Sequence, residues 1–86
     1  GNESKHGVSF SEASSVFGDL LAISAYDPGH SGQEDRFIIV GSSSASRMLM
    51  VAFTDRGKSI RIISARNLTR KERKEYEDEI KNRKAR

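Results

Sequence analysis

The chain has 86 residues, of which 35% are hydrophobic and 31% charged, with one proline, no cysteine and a formal net charge of +3. Some 30 apolar side chains suffice for one small core, while the composition excludes a disordered tract, a membrane span, disulfide staples and thiolate zinc sites. The charge is unevenly spread: residues 1–54 hold three basic and six acidic side chains, whereas residues 55–86 hold twelve and six, a distribution that suits a polyanionic partner such as nucleic acid or an acidic protein surface.

The first element is a helix capped by Ser9 in the run Ser9-Phe10-Ser11-Glu12, a capping box in which Glu12 is expected to reach back to Ser9. Val8 is placed to staple onto Ala13, and Phe10, Ala13, Val16 and Phe17 share a face until Gly18 and Asp19 close the helix. Residues 20–26 read as a strand, followed by a polar loop from Asp27-Pro28-Gly29 to about Gln33 that contains His30. Arg36 to Gly41 and Arg47 to Thr54 carry apolar residues on both faces and read as central strands. Serine-rich 42–46 and Asp55-Arg56-Gly57-Lys58 supply hairpin turns, the second leading to a last strand, Ile60 to Ala65. Thr69-Arg70-Lys71-Glu72 repeats the capping box and opens a helix to about Arg83, whose thin apolar stripe is Tyr76 and Ile80. The order predicts one α+β domain, an antiparallel β-meander with helices packed on it.

Four stretches stand in a recognisable order: Lys5-His6-Gly7-Val8-Ser9-Phe10; His30-Ser31 with Glu34 and Arg36-Phe37; Gly41-Ser42 with Arg47; and Arg61-Ile62-Ile63-Ser64-Ala65-Arg66. Together, and on through Leu68-Thr69 and Glu72 to Tyr76, they resemble the BrnT family of type II toxin–antitoxin toxins. The resemblance implies a RelE-like fold, an endoribonuclease that arrests growth, and neutralisation by a BrnA-like antitoxin with a ribbon-helix-helix DNA-binding domain. It also implies indirect contact with operator DNA and a possible heterotetramer with the antitoxin. The family pattern opens with a strand and a helix of which only the helix end is expected within residues 1–86, either because Gly1 is an internal start or because this is a shortened variant. No export pattern marks the region near Gly1, so the expected location is the cytoplasm, with no membrane contact.

Metal-free RNA cleavage uses the 2′-hydroxyl of the substrate as nucleophile. The protein must help that proton leave, stabilise the phosphorane and protonate the departing 5′-oxygen. Arg36, Arg47, Arg61 and Arg66 are the candidates for holding phosphate, because a guanidinium offers a planar fork and stays charged; Lys5 adds to them. Proton transfer falls to His6 or Glu34, with Tyr76 as a further acid and Arg61 counted with them as catalytic. Neither a cofactor nor a metal is called for.

Each of these residues also has a purely structural reading. His6 suits a helix C-terminus closed by Gly7, Glu34 and Arg36 suit an exposed ion pair, Tyr76 suits a packing anchor and His30 an exposed turn. Strict alternation along the last strand puts Arg61 on the face of Ile63 and Ala65, with Arg66 facing the other way or beyond the strand end. A different class of function, a non-catalytic module that binds an antitoxin and takes part in autoregulation, fits the same charges. A general RNA-binding module fits less well, because most of the six aromatic residues read as buried.

Overall fold

The computed structural model describes residues 7–30 and 34–84. Ser9 caps helix α1 (Phe10–Ser15), its hydroxyl accepting from the Glu12 backbone N–H at 3.0 Å, and a 3₁₀ turn carries the chain on through Val16–Gly18. Four strands follow: β1 (Ile23–Tyr26), β2 (Arg36–Ser42), β3 (Met48–Asp55) and β4 (Ile60–Asn67), with helix α2 (Arg70–Lys84) last. They form one antiparallel sheet in the order β1-β2-β3-β4, the meander expected from the short turns.

The apolar run before β1 is not all strand. The Asp19 carboxylate accepts from the Leu21 N–H at 3.0 Å and the Asp19 carbonyl accepts from Ala22, so 19–22 form a turn and Leu20 is left 98% exposed. Pairing begins only at Ile23, opposite Val40. Phe10, expected on the buried face of α1, lies 58% exposed.

One face of the sheet carries the core. Ile39, Leu49, Val51, Phe53 and Ala65 meet Val8, Ala13 and Val16, with Phe17, Ala22, Phe37 and Ile62 packed around them. Phe53 is its aromatic centre, set edge-on to Phe17 at 5.0 Å and stacked on Phe37 at 5.7 Å. Gly41 lets the N-terminal segment settle onto this face. A Cβ there would lie 2.9 Å from Asp19 Oδ2 and 3.0 Å from the Ala22 Cβ, and that same Asp19 oxygen accepts from the Ser42 N–H at 2.7 Å. Gly41→Ala is therefore expected to destabilise the fold by about 1–3 kcal/mol through overpacking, read as a lower urea midpoint at unchanged slope; a midpoint equal to that of the unaltered protein would contradict this close approach.

The opposite face is more open. The β4 register makes it differ from strict alternation: Phe53 pairs with Ile62 but Ala52 pairs with Ser64, so Ile63 is an extra residue and the strand changes parity. Ile62 and Ala65 both turn to the core, while Arg61 and Arg66, expected on different faces, share the open one.

Candidate functional site

Three cross-strand rows cross the open face. Arg36, Thr54 and Arg61 form the first, Ile38, Ala52 and Ser64 the second, Val40, Met50 and Arg66 the third. Arg36 and Arg61 flank Thr54 from β2 and β4, about 10 Å apart along the hydrogen-bonding direction, and the first and third rows lie about 13 Å apart along the strands.

Beside the first row is Glu34. Continuing the β2–β3 register two residues past Arg36↔Thr54 brings Glu34 opposite Arg56, and Arg56 donates Nε and Nη2 to its two carboxylate oxygens, each at 2.9 Å. The partner is thus Arg56 and not Arg36. This guanidinium holds the Glu34 carboxyl below the usual carboxylate range, and the charge of Arg61 adds to the effect. Glu34 is ionised at neutral pH, as a general base must be, but it can accept a proton only after loosening Arg56. Arg56 was missed because it sits in a turn, although register counting from the 42–46 hairpin does pair it with Glu34.

Helix α2 lies over the third row. Its capping box is complete: the Thr69 hydroxyl accepts from the Glu72 N–H at 3.2 Å and the Glu72 carboxylate accepts from the Thr69 N–H at 2.9 Å. Glu72 also takes both ends of the Arg66 guanidinium, at 2.7 and 2.8 Å, which holds its pKa down to about 2. Tyr76 donates its hydroxyl to the Leu21 carbonyl at 3.1 Å, and burial followed by the charge of Asp19 pushes its pKa up. Tyr76 is therefore protonated at neutral pH, and its proton is engaged in tying α2 to the turn before β1. Between α2 and the sheet runs a groove of about 340 Å³, apolar at Ile23, Val40, Met50 and Leu68 and bordered by Glu75 and Glu79.

Arg47 is elsewhere. It lies on the α1 side of the sheet, where its Nε donates to Glu12 Oε2 at 2.8 Å, its Nη2 bonds Glu12 Oε1, and it reaches the Gly7 carbonyl at 3.2 Å. Ser43 donates to the same carboxylate at 2.6 Å. Glu12 thus spans from α1 to the β2–β3 hairpin, where the capping-box pattern had it reaching back to Ser9. Of the other candidates, Lys5 and His6 fall outside the described residues, and His30 ends a 3₁₀ turn, Pro28–His30.

The open face therefore gathers Arg36 and Arg61 beside Glu34 at one end, and Arg66 with Tyr76 at the other. No helix among the described residues is long and apolar enough to cross a membrane. No curated protein matches the chain in a sequence search. The family model for the ribonuclease toxin BrnT of type II toxin–antitoxin systems matches residues 1–72. Covering most of the chain, from the segment before α1 through β4 to the first turn of α2, the match shows that this protein belongs to the BrnT family of ribonuclease toxins.

Proposed function

We propose that this chain is an endoribonuclease that cuts RNA without a metal ion, through the substrate's own 2′-hydroxyl, and that Arg36 and Arg61 hold the scissile phosphate. The observation that carries this reading is the first row: two arginines from different strands flank one position on the open face, with an ionised carboxylate, Glu34, alongside. Guanidiniums so placed supply the fixed positive charge that a phosphorane requires, which is commonly the largest contribution to catalysis. Glu34 or His6 takes the 2′-hydroxyl proton and gives one to the leaving oxygen. Arg66, with Lys5, contacts phosphates further along the strand, and Tyr76, at that same end of the open face, we assign to the Leu21 contact. Arg47 we assign to the Glu12 contact. The partner implied by the toxin–antitoxin family is an antitoxin, which we take to be BrnA-like, with a ribbon-helix-helix domain through which the pair meets operator DNA in the cytoplasm.

One observation favours the non-catalytic reading. Glu34 is held by Arg56 and Tyr76 by Leu21, so these two groups meant for proton transfer are engaged in bonds of their own, and Arg66, meant for phosphate, is engaged by Glu72. Incubation of purified protein with RNA in excess EDTA separates the two readings: fragments support the nuclease, intact RNA the binding module. Glu34→Gln keeps the shape of the side chain and removes its basicity, and is expected to slow cleavage by about 10²-fold without weakening RNA binding. Unaltered turnover would move the proton transfer to His6.

A further inference from the structure

Thr54 is the middle residue of the first row and is assigned no role by the reading above. Its side chain is unusual for its place. The residue is 5% exposed, and its Oγ1, shut off from water, has no hydrogen-bond partner among the described residues. A buried hydroxyl left unpaired lowers stability, and valine has the same shape without that cost. Both same-face neighbours across the sheet are arginines: Arg36 on β2 and Arg61 on β4.

We infer that the Thr54 hydroxyl completes a phosphate subsite with Arg36 and Arg61, donating to a non-bridging phosphate oxygen while the two guanidiniums take the oxygens on either side. The inference rests on the reading of this face as phosphate-binding. Three features of the row fit such a ligand. Its flanking groups are long cationic side chains, and an anion that draws their heads outward opens the space above the β3 position between them. A hydroxyl supplies the neutral, short donor that fits beneath an anion held between two longer arms. And a hydroxyl unsatisfied in the free protein acquires its hydrogen bond only when the anion arrives, which concentrates the gain in the bound state.

Two signatures follow, and they move in opposite directions. Thr54→Val should raise the melting temperature, by about 4 °C or more, because the unpaired hydroxyl is gone. The same variant should bind inorganic phosphate at least about tenfold more weakly, the worth of one hydrogen bond to a charged acceptor. The binding measurement is a titration of isotope-labelled protein with inorganic phosphate at constant ionic strength, followed through the backbone amide resonances. Saturable shifts centred on Arg36, Thr54 and Arg61 are expected, with Thr54→Ser retaining the affinity of the unaltered chain, since it keeps the hydroxyl. A purely structural Thr54 would move stability and leave the phosphate affinity where it was.

The inference is overturned if Thr54→Val binds phosphate as tightly as the unaltered protein, or if saturable shifts appear only away from this row. RNA left uncut in EDTA, together with phosphate binding that depends on Thr54, would remove the nuclease reading and leave the subsite standing. RNA cut at the same rate by Thr54→Val, with unaltered phosphate affinity, would do the reverse.

Discussion

Arg61→Ala is expected to lower the rate of RNA cleavage by about 10²- to 10³-fold while leaving the protein folded. The size follows from its position. Arg61 sits on the edge strand β4, exposed, on the open face beside Thr54, and its guanidinium is not held by a carboxylate among the described residues, unlike those of Arg47, Arg56 and Arg66. A cation not neutralised by its own fold keeps its full field for an incoming anion, and Glu34 already feels that field. Removing it strips charge stabilisation from the transition state, whereas an exposed strand position away from the core should change stability by no more than about 0.5 kcal/mol. Arg61→Lys refines the test. It keeps the charge and loses the planar fork, so it should recover only part of the rate if two phosphate oxygens are held at once. The checks are single-turnover cleavage of an RNA oligonucleotide and a thermal melt of each variant. Cleavage by Arg61→Ala at the unaltered rate would remove Arg61 from the chemistry, and a drop in melting temperature that tracks the drop in rate would make its role structural.

Much of the fold was legible in the sequence, and for local reasons. Two serine or threonine caps fixed where the helices start, and apolar runs broken by turn residues fixed the meander. Tertiary competition decided the rest. Residues 20–22 have strand composition, but the Asp19 side chain captures the Leu21 N–H and bends them into a turn. Glu12 has capping-box spacing, yet the guanidinium of Arg47, distant in sequence, is a stronger partner than a backbone amide. The extra residue at Ile63 was the most consequential departure, because one inserted residue reverses every later side chain in a strand. Nothing in Arg61-Ile62-Ile63-Ser64-Ala65-Arg66 reveals it; only the requirement that both Ile62 and Ala65 reach the core imposes it. That requirement is what puts two arginines of the family resemblance on one face. Thr54 carried no sequence signal at all, since its interest lies in what it fails to bond and in the arginines that strand pairing sets on either side of it.

Glu12→Gln is expected to cost about 2 kcal/mol of stability at neutral pH, the largest loss from any single change to a charged side chain considered above. Glu12 is only 12% exposed and collects bonds from Arg47 and Ser43, joining α1 to the hairpin between β2 and β3. The ion pair by itself, with Arg47 still 38% open to water, is worth under about 1 kcal/mol; the remainder comes from two charge-assisted hydrogen bonds weakened together. Acid gives the same result by another route. The Arg47 guanidinium, then the Ser43 hydroxyl, hold the Glu12 pKa down to about 2, below its usual 4.5. A carboxyl whose pKa is depressed in the folded state binds protons more readily once unfolded, so its contribution is complete above about pH 4.5 and disappears as pH falls toward 2. Glu72, held by Arg66, acts over the same window. The melting temperature of the unaltered chain should therefore fall steeply between pH 5 and pH 2 on this scale, while that of Glu12→Gln starts about 8 °C or more lower at pH 7 and falls less, the two curves converging near pH 2. Parallel curves would remove Glu12 from acid unfolding. The variant also decides what Arg47 is for. Freed from Glu12, an arginine poised for RNA would bind it more tightly, by the charge no longer neutralised; an arginine that serves only to hold α1 would leave RNA affinity and its salt dependence unchanged below the melting range.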